Sequence, residues 1–428
     1  MRIPECLSKM MGPSSPDLEP DSLRLHLQVR GEGEPWLFHL KPRALSLAIG
    51  PSEIFTFDRE GRLHAAFLDG RNYRRGLDGR VLEKQGEEGP EGRLRRRRVL
   101  SAEERTGFLS RVNDRLDQLA RTAPSTDDLD PGDLATLTRW TGRLQRWDAA
   151  ALEADAARFH QVYRTVSILP PDQYMALVVQ TTEGCPWNRC TFCDLYRDRP
   201  YRVKNESELD DHLAAILDLL GEGIRLRRSV FLGDANMLAV PLPALLRALI
   251  LIRQRLAEVR GPEPRFHGFT DVFGVRRHPV ADLAILREEG VRRLYVGLET
   301  GSPYLLELLG KPGSVDEAVQ AVRRIRAAGI AVGVIVLLGL GGTARAAEHE
   351  EGTAAALNAM ELGSGDIVYF SPLIEHAHGE YRRQAAELGF GSFSPGEMQR
   401  QRRRLERRLS FGPSRPLLSL YDIRDFIY

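Results

Sequence analysis

The chain has few cysteines and no hydrophobic stretch long enough to cross a membrane. Only four of its 428 residues are cysteine, three of them close together, which is unlike the disulfide framework of a secreted protein. No apolar run approaches the roughly 18 residues that span a bilayer, and the first residues lack the apolar core of a signal peptide. We therefore expect a cytoplasmic protein without a membrane partner.

An excess of one charge is also missing. The 60 basic and 59 acidic side chains give a net charge of +1, so no overall field attracts nucleic acid. Hydrophobic residues make up 42% and charged residues 28%, as in an ordinary soluble globular protein. Arginine-rich runs at 93–98 and 400–408 leave nucleic acid possible as a partner, although the charge balance does not favour it.

Common nucleotide-binding and cofactor signatures are absent as well. The sequence contains no G-x-x-x-x-G-K-[ST], and the glycine string that begins at Gly339 has Ala344 in the third glycine position of G-x-G-x-x-G. It also lacks the Asp-x-His-x-x-Gly pattern of cobalamin-binding domains. Cys6 is the only cysteine outside the group at 185–193, so a second cluster with four cysteine ligands is excluded.

The first 165 residues show short apolar runs and then helical patterns. Runs between residues 23 and 84, separated by turn-forming residues, predict antiparallel hairpins. A Gly-, Glu- and Arg-rich loop is expected next, before Ser101 and Glu104, whose spacing is typical of a capping box that opens a helix. A second helical stretch is predicted over 133–166. We expect residues 1–165 to form a mixed α/β accessory domain.

From Tyr174 onward, apolar strands alternate with amphipathic helices. Six strands are predicted, at 175–182, 229–234, 265–271, 293–299, 331–339 and 366–373. This alternation requires right-handed crossovers and a parallel sheet. We predict an α/β fold, with a partial (β/α)6-type parallel barrel over residues 166–378 and active residues at the C-terminal ends of its strands. Residues 379–428 are expected to be an Arg-rich helical segment whose apolar end docks on the barrel.

Three cysteines, Cys185, Cys190 and Cys193, fall in one loop after the first predicted barrel strand. A cubane cluster held by three thiolates keeps one iron open for a substrate or cofactor, whereas a structural zinc site is closed by four protein ligands. The residues alone leave three interpretations open: an iron-sulfur enzyme, a zinc module completed by a further histidine, and an iron-sulfur electron carrier.

The cysteine loop and the strand pattern resemble the radical SAM superfamily, in the branch with an Elp3/MiaB/NifB-type core domain, over about residues 174–371. The spacing is Cys-x4-Cys-x2-Cys, one residue wider than the family's usual first gap. The resemblance implies a [4Fe-4S] cluster on the three cysteines and S-adenosyl-L-methionine (SAM) on its open iron. It also implies reductive cleavage of SAM to a 5′-deoxyadenosyl radical that abstracts hydrogen from an unidentified substrate, with a flavodoxin or ferredoxin-type reductant. Modification of tRNA or another RNA is the alternative within the same chemistry.

The resemblance further assigns positions around SAM. Phe192 matches an aromatic residue beside the adenine. Gly233 and Asp234 match the Gly-Gly-Glu position that holds the SAM amino group, with aspartate in place of glutamate. Glu299, at the end of the fourth strand, is expected near the SAM carboxylate or ribose. The backbone at Gly339 and Gly341 is expected to meet the adenine or ribose.

Other polar residues near the predicted barrel mouth are candidates by position alone. His376 and His378 follow the sixth strand and are expected in an exposed loop, although their spacing also suits a metal. The remaining substrate candidates are His267, Asp271 and Tyr369. The basic residues behind the cysteines, Arg199, Arg202 and Lys204, are expected on a solvated surface.

Overall fold

The computed structural model describes residues 22–27, 34–89, 92–121, 129–259, 261, 263–375 and 379–428. It contains two large sheets, one antiparallel and one parallel. Each sheet has its own hydrophobic core. The α/β fold class predicted from the sequence is confirmed.

An eight-stranded antiparallel sheet comes first, in which each strand pairs with the next along the chain. Alternate residues such as Trp36, Phe38 and Leu40 are buried, as expected for strands with one face on a core. The strands are β1 (Leu23–Leu27), β2 (Trp36–Leu40), β3 (Leu45–Ile49), β4 (Glu53–Phe57), β5 (Leu63–Leu68), β6 (Arg71–Arg75), β7 (Val81–Gly89) and β8 (Gly92–Val99).

The loop predicted after Lys84 is wrong, because β7 and β8 form a long hairpin there. The sequence does not indicate these strands, because charged residues that pair across the hairpin stand where apolar residues would usually alternate with polar ones. Arg98 lies opposite Glu83, with a distance of 3.0 Å between its Nε and a carboxylate oxygen. Cross-strand pairs of opposite charge stabilise such edges.

Three helices follow this sheet: α1 (Ala102–Arg121), α2 (Pro131–Gln145) and α3 (Ala149–Val162). The predicted capping box is present, because the Glu104 amide donates to Ser101 Oγ (3.2 Å) and the Ser101 amide donates to the Glu104 carboxylate (2.9 Å). The single helix predicted over 133–166 is instead two helices. The Asp148 side chain accepts from the Ala151 amide (2.8 Å) and so starts a new helix.

The second sheet is a partial barrel of seven parallel strands in the order β9, β12, β13, β14, β15, β16, β17. All six predicted strands are found, as β9 (Leu177–Gln180), β12 (Val230–Gly233), β13 (Phe266–Thr270), β14 (Val291–Glu299), β15 (Ala331–Leu338) and β16 (Ile367–Pro372). A short hairpin of β10 (Thr182–Glu183) and β11 (Arg202–Val203) flanks the cysteine loop. The barrel helices are α4 (Glu206–Leu220), α5 (Leu242–Ala257), α6 (Val272–Arg277), α7 (Val280–Glu288), α8 (Pro303–Leu308), α9 (Val315–Ala327) and α10 (Ala346–Ala359).

The C-terminal part adds α11 (Glu380–Glu387), α12 (Pro395–Arg408) and the seventh strand, β17 (Leu417–Leu420). Strand β17 was not predicted, because it has only four residues and both Leu417 and Leu420 are exposed. The residues after it are buried, including Tyr421, Phe426 and Tyr428. This confirms that the apolar end of the chain docks on the barrel.

Several arginines of the two runs form ion pairs, among those whose side chains the structure describes. Arg97 contacts Asp425 (2.7 Å), and the guanidinium of Arg404 lies 2.6 Å from the Glu350 carboxylate. These contacts fasten the C-terminal part to the hairpin of β7 and β8 and to α10. Among the helices that the structure describes, none is both long and apolar enough to cross a membrane.

Candidate active site

A cavity of about 220 Å³ lies at the C-terminal ends of the barrel strands. Cys185, Cys190 and Cys193 all line it, together with Phe192. Further lining residues come from β13 to β16 and from the chain after β17. Parallel strands bring their C-terminal ends to one face, so segments far apart in the sequence meet around these thiols.

The cysteine loop is tied at its base by the hairpin of β10 and β11. Glu183 accepts two hydrogen bonds from Arg202 (2.8 and 2.9 Å) and one from Lys204 (2.6 Å). The side chain of Lys204 is only 9% exposed, and that of Arg199 only 8%. The expectation that this basic stretch lies on a solvated surface is therefore wrong for both, because each meets a buried carboxylate. The Arg202 side chain remains 43% exposed.

The wider gap between the first two cysteines folds as a turn packed against α8. Trp187 Nε1 donates to the Gly310 carbonyl (2.8 Å). Asn188 takes the left-handed conformation, with φ of 48°, and its side chain donates to the Tyr196 carbonyl (3.0 Å). Arg197 donates to the Cys190 carbonyl (2.8 Å). These bonds fix the loop, and the Asn188 amide also donates to Cys185 Sγ (3.3 Å).

The three thiols are free cysteines. In the described ranges, no three His, Cys, Asp or Glu side chains converge on a point suited to one metal ion. Thiolates on a single zinc would lie about 3.8 Å apart, given a Zn–S distance of about 2.3 Å. Thiolates on a cubane bind different irons and lie farther apart, so the lack of a single-ion site among the described residues does not conflict with a cluster.

Burial disfavours the thiolate form of two of these cysteines, Cys190 and Cys193, by raising their pKa. Burial raises the pKa of Cys190 to about 12, although nearby Lys311 opposes the shift. Burial also raises the pKa of Cys193. Because thiolates are the ligands, a metal or cluster that binds here must displace these protons.

Asp234 lies behind the loop and does not line the cavity. One of its carboxylate oxygens accepts from Gln180 (3.0 Å), and the other accepts from the Gly184 amide (2.9 Å) and lies 3.3 Å from Arg199 Nε. The Gly233 carbonyl accepts from the hydroxyl of Thr182 (3.0 Å). The structure therefore places Gly233 and Asp234 at the base of the cysteine loop, with these groups already hydrogen-bonded.

Glu299 does line the cavity, and it is paired with Lys311. The distance between Lys311 Nζ and the Glu299 carboxylate is 2.7 Å. Burial alone would lower the pKa of Lys311, but Glu299 and the Cys190 thiol outweigh that effect and raise it. Gly297 permits this pair, because a β-carbon there would overlap the Glu299 carboxylate. A buried ion pair therefore stands beside the thiols.

Gly339 and Gly341 are absent from the cavity lining. The Gly339 amide donates to Gln401 (2.7 Å) and the Gly341 amide donates to the Tyr381 hydroxyl (2.9 Å). The next residue, Gly342, has φ of 53°, and a β-carbon there would overlap the Gly391 carbonyl. The glycine string therefore packs against α11, α12 and the segment between them.

Of the remaining candidates, only Asp271 lines the cavity, where it also accepts from the Gly274 amide (2.7 Å) at the start of α6. The Tyr369 hydroxyl donates to Asp172 (2.6 Å), away from the cavity lining. His267 is buried outside the lining, and burial lowers its pKa to about 4. His376 and His378 lie outside the described residues.

Lys311 and Tyr421 are among the lining residues that the sequence did not indicate. Lys311 is an isolated lysine in a Gly-Lys-Pro turn after α8, and its only signal is its rarity in an arginine-rich chain. Tyr421 follows the unpredicted strand β17. Both residues line the cavity because the fold brings their segments to the ends of the barrel strands. Spacing along the chain does not predict this.

Comparison with known proteins agrees with this geometry. Residues 179–349 match the family model described as the radical SAM superfamily. The chain is 25% identical over 217 residues to 4′-phospho-dehydrooxetanocin synthase from Priestia megaterium, covering 45% of this chain and 28% of that protein. It is 40% identical over 90 residues to an uncharacterized protein of Methanopyrus kandleri, covering 20% of this chain and 17% of that protein. The chain thus spans less than a third of either relative.

Among solved structures, coproporphyrinogen III oxidase from Escherichia coli, a radical SAM enzyme, aligns at a TM-score of 0.41 with 14% identity. That alignment covers 61% of this chain and 56% of that one. Methylornithine synthase aligns at a TM-score of 0.39 with 17% identity, over 60% of this chain and 66% of that one. With scores below 0.5, neither likeness informs on substrate or cofactor.

Proposed function

Because residues 179–349 belong to the radical SAM superfamily, we propose that this enzyme holds one [4Fe-4S] cluster on Cys185, Cys190 and Cys193 and cleaves SAM reductively. When bound, the cluster supplies the electron that splits SAM into methionine and a 5′-deoxyadenosyl radical, which abstracts hydrogen from a substrate. The observation that carries this proposal is the meeting of three free thiols from one loop in a cavity at the barrel mouth.

The chain's own residues then hold and orient SAM. Phe192 lines the cavity within the cysteine loop, where its ring is available to pack on the adenine. Lys311 offers an ammonium to the SAM carboxylate, and Glu299 offers a carboxylate to the SAM ammonium or ribose hydroxyls. We assign these contacts to the ion pair because Glu299 and Lys311 line the cavity, whereas Asp234, Gly339 and Gly341 do not.

The apolar walls of the cavity supply a second requirement of radical chemistry, the exclusion of water and of competing hydrogen donors. Ile335, Leu337 and Leu373 are among these walls. A one-electron donor of the flavodoxin or ferredoxin type is the expected protein partner. The RNA alternative gains no support, since described arginines of both runs, such as Arg97 and Arg404, are in ion pairs.

The test is anaerobic reconstitution with iron and sulfide, followed by dithionite and SAM and an assay for 5′-deoxyadenosine. Cys190→Ala is expected to lose both the cluster and the product, because it removes a ligand. Cys6→Ala is the matched control, since it removes the one cysteine outside the loop, and it should retain both.

Other outcomes would separate the alternatives. A colourless, zinc-loaded protein after the same treatment would favour the zinc module. An intact cluster whose spectrum SAM does not perturb, with no product, would favour an electron carrier. Product formation by Cys190→Ala would refute the ligand assignment.

A further inference from the structure

A second, smaller cavity, which we term the arginine cavity, lies where the antiparallel sheet meets the barrel. Its volume is about 20 Å³, and a cavity needs about 10 to 15 Å³ to hold one water. Arg74 and Arg75 reach it from β6, and Arg227 reaches it from the residues just before β12. Its other lining residues with polar side chains are Asp58, Arg62, His64 and Tyr428.

Arg227 is buried without a counter-ion. The residue is 6% exposed, and its guanidinium lies over the ring of Tyr428, 4.8 Å from the centroid. In the part of the chain that the structure describes, this guanidinium has no hydrogen-bond or ion-pair partner. Its Nε is fully enclosed, but its two terminal nitrogens are not, so they can be reached from the cavity that the residue lines. Because a buried cation is costly unless it is paired, an anion beside Arg227 would stabilise the fold.

Arg74 and Arg75 add two cations that also lack an ion pair among the described residues. Each donates from one terminal nitrogen to a backbone carbonyl, Arg74 to Tyr174 and Arg75 to Leu152, both at 2.8 Å. Burial lowers the pKa of both arginines, and Arg227 lowers the pKa of Arg74 further, to about 10. Three guanidinium groups are thus close enough to repel one another.

The neighbouring carboxylates do not neutralise these arginines. Asp58 and Asp155 both pair with Arg62, at 3.4 and 3.1 Å, and Asp78 pairs with an arginine outside the cavity (2.6 Å). All three attract Arg75 only from beyond ion-pair distance, and burial outweighs that attraction. The described lining therefore holds four arginines and one carboxylate, which is an excess of positive charge.

His64 on β5 is affected by this excess. Burial, and then Arg74, Arg227 and Arg75, lower its pKa to about 3. Its imidazole is therefore neutral at pH 7, and a neutral imidazole can donate one N–H to an anion.

We propose that the arginine cavity binds one small inorganic anion, such as chloride, between Arg74, Arg75 and Arg227. The anion supplies the counter-charge that the described residues lack, and it joins β6 of the antiparallel sheet to the barrel beside β12. It is a structural ligand of the junction between the two sheets. The arginine cavity shares no lining residue with the cavity at the cysteines, so this inference does not depend on the proposed function.

The test is urea unfolding of the full chain at constant ionic strength, with chloride replacing gluconate, an anion too large for the cavity. Tryptophan fluorescence reports the transition, since three of the four tryptophans lie in residues 1–165. An anion that binds only the folded state lowers the unfolding equilibrium constant by the factor 1 + [L]/Kd. We expect that constant to fall about 5- to 10-fold between about 20 and 200 mM chloride, the range for a Kd of about 20 mM or less.

Arg227→Met should remove this chloride dependence. In gluconate it should be no less stable than the unmutated protein, because it removes an unpaired buried cation. Arg228→Met is the matched control. It changes the exposed neighbouring arginine, which is outside the lining, and it should keep the full dependence on chloride.

Three results in urea would overturn the proposal: no response of the unmutated protein to chloride, an equal response in Arg227→Met, or a loss of stability in Arg227→Met that is the same in chloride and in gluconate. The last would assign Arg227 to packing on Tyr428 alone. Crystals of the unmutated protein soaked in bromide provide a check that needs no variant. We expect an anomalous peak within hydrogen-bond distance of the Arg227 guanidinium, and a cavity that holds only water would also overturn the site.

Discussion

Asp234→Asn distinguishes an anchor of the cysteine loop from a ligand of the SAM amino group. In the structure the Asp234 carboxylate joins three segments: β9 through Gln180, the start of the loop through Gly184, and its end through Arg199. Asparagine keeps the volume but removes the charge and one acceptor. We therefore expect the loop to lose its internal brace.

The magnitude follows from burial. Asp234 and Arg199 have side chains 5% and 8% exposed, and removing one partner of a buried pair costs about 3 to 5 kcal/mol. Asparagine can still accept the Gly184 amide, so we expect about 3 kcal/mol, the lower end of that range. Asp210→Asn is the control. It breaks a half-exposed pair with Arg255 (2.6 Å), which is worth about 1 kcal/mol or less.

Two measurements separate the roles. Urea unfolding of the apoprotein gives the loss of stability, and iron and sulfide content after identical reconstitution reports whether the loop still presents its thiols. We expect both to fall in Asp234→Asn and neither to fall appreciably in Asp210→Asn. Full iron content and unchanged stability, with weaker SAM binding in equilibrium dialysis, would refute the role of Asp234 as an anchor of the loop. That result would support a contact between Asp234 and the SAM amino group.

Three further perturbations test other parts of the structure. Glu299→Gln and Lys311→Met should each destabilise the apoprotein by about 3 to 5 kcal/mol, and the double variant by much less than their sum; additive losses in urea unfolding would contradict a coupled pair. Gly342→Ala should cost about 1 to 3 kcal/mol more than Gly389→Ala, since both have positive φ but only the former meets a backbone carbonyl; equal losses would show that backbone strain alone matters. Burial lowers the pKa of His349 to about 4, so the unfolded chain binds a proton below about pH 6.5 before the native state does. His349 should then contribute about 2 kcal/mol to the loss of stability between pH 7 and pH 5, beside other buried histidines such as His267. His349→Gln should reduce that loss by about this amount; an unchanged slope would refute it.

The barrel was predictable because its strands are buried on both faces and therefore read as continuous apolar runs. Residues 331–338 and 367–372 are examples, and both were located to within a residue or two. Strand β17 carries no such run, since Leu417 and Leu420 remain exposed. It forms a strand because it pairs with the edge of β16. A four-residue sequence gives no indication of such pairing.

The cysteines and Glu299 could be assigned to the cavity because they follow strand ends, and parallel strands fix where their ends lie. Asp234 also follows a strand end, yet its side chain turns toward Gln180, Gly184 and Arg199. Position along the chain sets where a residue lies, while hydrogen-bond partners from other segments set where its side chain points. Sequence spacing supplies only the former.

The open edge of the barrel shows how segments outside the matched residues take part in the site. Strand β9 pairs with β12 on one side only, and an unpaired strand edge leaves backbone groups to satisfy. Side chains supply those partners: the Val178 amide donates to the Tyr428 hydroxyl (2.8 Å), the Tyr163 hydroxyl donates to the Val178 carbonyl (2.9 Å), and the Gln180 amide donates to His212 Nε2 (3.2 Å). Since Tyr428 belongs to the same buried segment as Tyr421, the residues that cover this edge also continue into the cavity wall. The end of the chain thus extends the sheet through β17 and covers its other edge, so part of the cavity wall comes from a segment beyond the family-matched residues.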